Sequence, residues 1–316
     1  MAHPICVMNN PFARAFSRIA IALAAATAFA TVARPAAAQS AAPGDPARTA
    51  PAARLSDEPE IDAGFRLLYE LKFAEARETF AKWQAQHADD ALGPAAAAAS
   101  NLFQEFDRQG VLTSEFFLDD DKLLGGVKSA PDPGLRDAFH AAIGKAQQLA
   151  RARLASNPHD ADALFALTIA TGMLADYTSL IERRQLDSLK LIRQADRDAH
   201  DLLAVAPGAA DAYVARGAAN YVIGCLPGYK RFVIWFGGFH GDRALGMQQL
   251  ETASRGGHYL RPYAKLMLAL AALREKKRDL AKTEFEQLAA EFPSNPRFAG
   301  ELAKLNGTVG PAKHSP

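Results

Sequence analysis

The sequence predicts an all-α chain of about five stacked helical hairpins with a C-terminal capping helix. Three observations carry this expectation. From Ser56 onward the apolar residues recur at helical spacing. Several of these segments repeat one pattern: a small residue, a larger apolar residue a turn later, and a proline beyond the helix end. The chain carries two cysteines, Cys6 and Cys225, and only the second lies in the helical part, so packing rather than an intramolecular disulfide must hold the fold.

Residues 1–38 read as a signal peptide. Arg14 and Arg18 precede an apolar run from Ile19 to Ala33, too short to cross a bilayer, and Ala36 and Ala38 supply an A-x-A cleavage site. The rival reading, an uncleaved anchor, is opposed by that short core and by Arg34 and Pro35 at its end. No later segment approaches ~18 uninterrupted apolar residues, so no membrane span is expected after cleavage. The expected location is therefore periplasmic or secreted. Cleavage takes three of the 36 basic residues and leaves 33 against 35 acidic ones. Such a balance lacks the basic stripe of a nucleic-acid-binding surface. Residues 39–56 are Ala, Pro and polar residues without periodicity, the composition of a flexible linker.

The helical region, residues 57–305, repeats internally, and residues 306–316 read as a disordered tail. Ala76 and Phe80 lie four apart in "FAEARETFAKW". Ala281, Phe285 and Leu288 precede Pro293; Ala195, Ala199 and Leu202 precede Pro207; Ala146 and Ala150 precede Pro158. In the last three the first alanine leads the proline by the same twelve residues. This resembles the second helix of a tetratricopeptide repeat, with its A-x3-F…P pattern. The first helices fit less closely: "DAYVARGAANY" keeps Gly217 at a tight crossing with Tyr213 four residues before it, but the Trp and Leu-Gly of the consensus are mostly missing. The chain is thus similar to a divergent, exported member of that family. Five units follow: Asp57–Asp90; Ala91–Asp160, with an insertion near Phe106–Leu135; Ala161–Pro207, with extra turns at "DYTSLIERRQLDSL"; Ala210–Gly257, with a long loop; and Pro262–Pro293. The segment "NPRFAGELAKL" then reads as the cap.

The resemblance implies that the first helix of each unit lines a concave face. The corresponding residues are Ile61, Phe65, Leu68 and Tyr69; Phe165, Ile169 and Met173; Val214, Ala218, Tyr221 and Val222; and Tyr263, Leu266, Leu270, Leu273 and Arg274. An apolar lining of this length is not that of family members that clamp charged peptide tails, and it must be covered. The fourth-unit loop, "GCLPGYKRFVIWFGGFHGDRALG", carries seven large apolar residues whose burial is worth roughly 10–20 kcal/mol. Folding back into the array is the covering expected of it, with meeting a partner or membrane, or lidding an apolar ligand, as the alternatives. In the second-unit insertion, Asp119, Asp120 and Asp121 lack the alternating spacing of an EF-hand and read as a helix start.

No H-E-x-x-H, paired C-x-x-C, G-x-S-x-G or Walker A pattern occurs, so neither an enzyme, a metal site nor a cofactor is expected. Cys225 as a nucleophile needs a base and an orienting group, and as a small buried apolar residue needs neither. Asp242 is placed as a helix N-cap. Glu182, Arg183, Arg184 and Asp187 form a solvated charge cluster, with contact to a second copy of the chain left open. The expectation is an interaction scaffold that meets another envelope protein, with a carrier holding an apolar ligand in the superhelix interior as the alternative. The candidate contact residues for either are Phe165, Ile169, Tyr221, Tyr229, Phe232, Trp235, Phe236 and Leu270.

Overall fold

The computed structural model describes residues 55–229, 232 and 240–307. The signal peptide, the linker up to Arg54, most of the fourth-unit loop and the tail from Thr308 lie outside the described residues. Among those described, the ordered elements are helices, and no strand occurs. The first hairpin is α1 (Pro59–Tyr69) and α2 (Phe73–Gln86). The second begins with α3 (Leu92–Gln109), passes through the short α4 (Ser114–Phe117) and α5 (Asp120–Gly125), and ends with α6 (Pro133–Ser156). The third is α7 (Ala161–Asp176), continued by a π-helical turn at Tyr177–Ile181, and α8 (Gln185–Val205). The fourth is α9 (Ala212–Cys225) and α10 (Arg243–Gly256), the fifth α11 (Arg261–Arg274) and α12 (Arg278–Glu291), and α13 (Pro296–Leu305) caps the stack. Each hairpin packs on the next through the second helix of one and the first of the other.

Local chemistry sets the boundaries. The Asp132 carboxylate accepts from the Leu135 N–H at 2.8 Å, Asp160 from Ala163 at 2.9 Å and Asp242 from Ala244 at 2.8 Å. Each such cap is worth about 1 kcal/mol. Pro59, Pro133, Pro262 and Pro296 occupy first turns, where a missing N–H costs nothing. Between the paired helices, Leu71, Arg183 and Lys276 take positive φ, a recurring left-handed turn made without glycine. The alanines of the repeated pattern, Ala76, Ala146, Ala150, Ala195, Ala199 and Ala281, are all buried, as are Phe80, Leu202, Phe285 and Leu288. Small residues let helices approach, and the larger residue a turn later fills the space beside the crossing. Gly217 and Gly246 carry this furthest: a Cβ on Gly217 would stand 3.0 Å from the Gly246 carbonyl, and one on Gly246 would stand 2.6 Å from the Tyr221 nitrogen.

The apolar lining is covered by the array itself. Tyr259, in the corner between α10 and α11, inserts its ring between Phe65 of α1 and Phe165 of α7, with ring centroids 5.2 and 5.8 Å away. Its hydroxyl donates to the Ser56 carbonyl at 3.0 Å, and the Tyr69 hydroxyl donates to the Tyr259 carbonyl at 3.0 Å. Tyr69 also packs on Phe292 at 5.5 Å, and Asn295 donates to the Tyr69 carbonyl at 2.8 Å. Phe103 of α3 bridges Tyr69 and Tyr263 at 6.1 and 5.2 Å. The first hairpin thereby meets the fifth, and no long open groove is left between them.

The second-unit insertion completes the seal. Phe116, Phe117, Leu123 and Val127 are buried. Arg274 of α11 donates to the Phe117 carbonyl at 2.8 Å and pairs with Asp120. The Ser114 N–H reaches Glu301 of α13 at 3.3 Å, and the Val127 N–H reaches the Leu180 carbonyl of the π turn at 2.8 Å. The insertion thus spans from the fifth hairpin and cap to the third. Asp119 accepts from the N–H groups of Asp121 and Lys122 at 2.9 and 3.1 Å, the helix start expected of it.

Candidate functional site

The eight candidate contact residues divide into three groups. Phe165, Ile169, Tyr221 and Leu270 are buried, so a ligand or partner reaches them only if the interior opens. Their burial follows from the closure: Phe165 stacks on Tyr259, and the Tyr221 hydroxyl donates to the Ala271 carbonyl at 3.2 Å and to Glu275 at 3.2 Å. Tyr229 and Phe232 are the reverse, 70% and 63% exposed. Trp235 and Phe236 lie outside the described residues.

The fourth-unit loop leaves and re-enters the stack through a narrow neck. A Cβ on Gly241 would lie 2.3 Å from the Gly224 nitrogen and 2.5 Å from the Ile223 carbonyl carbon. The backbones of Gly224 and Gly241, on either side of the loop, are thus in contact. The neck is further tied by Arg243, which pairs with Glu275, the C-cap of α11, at 3.0 Å. Cys225 sits here, half-buried beside Arg274 and Tyr221. Burial pushes its thiol up, outweighing the opposing pull of Arg274, so it lacks the lowered pKa of a nucleophilic cysteine.

Inside the array one titratable group stands apart. Asp176 ends α7 on the face it shares with Phe165, since eleven residues bring a helix round to within about 20° of the same direction. Among the described residues no donor or cation reaches its carboxylate, and burial alone pushes its pKa up to about 7. Yet the residue keeps accessible surface, as does Tyr263, whose phenol is held neutral first by burial and then by Asp176. The sequence marks Asp176 only as the polar end of an apolar run, and nothing there distinguishes it from an ordinary helix terminus. A separate apolar cavity of about 40 Å3 lies between α1, α3, α11 and α13, lined by Tyr69, Phe103, Phe106, Leu266 and Phe298. The Arg297–Asp107 ion pair, at 2.7 Å, borders it. It is room for one or two waters.

A third grouping joins residues remote in the chain. His258 Nε2 lies 2.6 Å from Asp62 Oδ1 and 3.8 Å from Asp57 Oδ1. No spacing rule joins His258 to these carboxylates, which belong to the first unit and reach it only through the closure. The helical run Ala161–Ile181 is long and apolar enough to cross a membrane by length and composition, nearer to a span than its uninterrupted apolar count suggests. Most of it is buried among the hairpins as the central helix of the stack.

No family model matches the chain, and no curated protein sequence does. Among solved structures, a thermophilic tetratricopeptide-repeat protein of Thermus thermophilus is similar to it. The similarity covers 78% of this chain and 97% of that one, at 14% identity and a TM-score of 0.43. The hairpin architecture stands on the helix pairing described above.

Proposed function

We propose that the protein is an exported interaction scaffold that meets another envelope protein through the outward side of the α9–α10 loop. One observation carries the reading: the lining that a repeat array would offer a ligand is closed by its own chain, while Tyr229 and Phe232 stand exposed on a loop with a pinned neck. Exposed aromatic side chains on a rigid base supply large contact area at small entropic cost, the usual anchor of a protein interface. The reading assigns no catalytic step to the chain. Its test is crosslinking in the native envelope with Tyr229→Ala plus Phe232→Ala, and separately with Trp235→Ala plus Phe236→Ala. Loss of a captured partner in the first variant, with an unchanged melting temperature, supports the scaffold. Crosslinks that persist in both variants sink it.

A second reading, a carrier, is favoured by Asp176. A carboxylate without a protein partner, beside Tyr263 in an otherwise apolar interior, is suited to a compact organic cation bearing apolar groups. Native mass spectrometry of protein taken from its host, with and without Asp176→Asn, tests it. A co-purifying species that is present in both or absent from both removes the carrier reading.

A further inference from the structure

The seam between the first hairpin and the α10–α11 corner carries unbalanced charge. Asp57, Glu58, Asp62 and Asp162 gather around His258 and Tyr259: Asp62 and Asp57 approach the imidazole, Asp162 accepts from the Ser56 N–H and hydroxyl at 2.9 and 2.6 Å, and Glu58, Asp62 and Asp162 all help hold the Tyr259 phenol neutral. Among the described residues no lysine or arginine pairs with Asp57 or Asp62. Other acids of this chain have basic partners, as Glu70 has Lys72 at 2.7 Å, Glu115 has Lys304 at 2.6 Å and Glu291 has Arg261 at 2.7 Å. Two carboxylates brought together with only an imidazole between them leave a place for positive charge.

The geometry is that of a ligand set. One atom each from Asp57, Asp62 and His258 falls within 4.8 Å of the other two. The imidazole comes from a corner that is held firmly: buried Asp211 accepts the His258 N–H at 2.7 Å and the Leu260 N–H at 2.6 Å. Bonds of about 2.0–2.1 Å around tetrahedral zinc put neighbouring ligand atoms about 3.3 Å apart. The present separations from Nε2, 2.6 and 3.8 Å, straddle that distance. Asp57 is exposed and free to rotate inward. Water would complete the fourth position, as in zinc sites with three protein ligands.

We propose that Asp57, Asp62 and His258 bind a divalent transition-metal ion of the zinc class, which staples the first hairpin to the corner between the fourth and fifth. An imidazole with two carboxylates favours zinc, nickel or copper over magnesium and calcium, which take all-oxygen sets. Because the three ligands meet only in the closed array, binding stabilises closure by mass action.

The test is calorimetric titration of zinc chloride into chelator-stripped full chain, with thermal melts in zinc and in magnesium. The expected result is one zinc per chain and, near a hundredfold excess over the dissociation constant, a melting temperature raised by about 5 °C. Magnesium at the same concentration is expected to leave it unchanged. Asp57→Asn and His258→Gln should each weaken binding at least about tenfold, the effect of losing a ligand from such a site. Asp57 lies at the surface, so its variant tests the site without endangering the fold. Absence of both heat and a melting shift overturns the proposal. Stoichiometric binding that survives both substitutions overturns it as well, placing the metal elsewhere.

Discussion

Replacing Tyr259 by alanine tests the closure of the array directly. Its ring is buried between Phe65 and Phe165, so truncation removes a core aromatic and leaves a cavity, at a cost of about 3–5 kcal/mol. The lost hydrogen bond to the Ser56 carbonyl adds about 1 kcal/mol, for a total near 4–6 kcal/mol. Tyr259→Phe keeps the ring and should cost only about 1 kcal/mol. Chain topology gives a sharper readout. In an open stack, hairpins interact with their neighbours alone, and a change in the α10–α11 corner adds independently to one in α1. With the ends in contact, Phe65→Ala and Tyr259→Ala should couple by about 0.5–1.5 kcal/mol, the usual strength of an aromatic pair. Urea unfolding monitored by circular dichroism gives the double-mutant cycle. Amide hydrogen exchange should show residues 59–69 losing protection in Tyr259→Ala. Additivity within about 0.3 kcal/mol, together with unchanged exchange in α1, would refute the closure.

Two further expectations follow from single residues. Gly246→Ala must push backbone apart at the α9–α10 crossing and should destabilise by about 1–3 kcal/mol, whereas Gly144→Ala in α6 meets nothing within 4 Å and should stabilise by about 0.5–1 kcal/mol; thermal melts of the pair separate the two. Asp176 titrates near 7 in the folded chain and near 3.9 when unfolded, so the native state holds the extra proton between those values. Its contribution is present below about pH 4 and is lost as pH rises toward 7. Asp176→Asn should therefore gain on the order of 2–4 kcal/mol over the parent at pH 8 and little at pH 4; equal gains at both pH values would show that the carboxylate is not desolvated.

Much of the fold is legible in the sequence because it is written in local terms. The Ala-x3-large pattern with its proline at constant distance depends on one crossing and one helix end, and Ala146, Ala199 and Ala281 are buried as it requires. Asp242 and Asp119 are placed as helix starts by adjacent N–H groups, which sequence proximity guarantees. The closure is different. Tyr259 and Phe65 are almost two hundred positions apart, and no spacing rule joins them, so the need for a cover could be read but not what supplies it. The second-unit insertion likewise buries Phe116 and Phe117 against units that no sequence spacing specifies. Of the candidate site, Tyr229 and Phe232 are exposed, while Asp176 and the His258 cluster have meaning only once distant units are brought together.

The meeting of Tyr69 with Phe292 and of Tyr259 with Phe65 also fixes how many hairpins this chain can contain. An open solenoid can gain or lose a unit and remain a solenoid, because each unit answers only to its neighbours. Here an added hairpin would rotate the last unit past the first and separate both aromatic contacts, and a deleted one would drive them into collision. The five-unit count is thus held by geometry in the way the blade number of a propeller is.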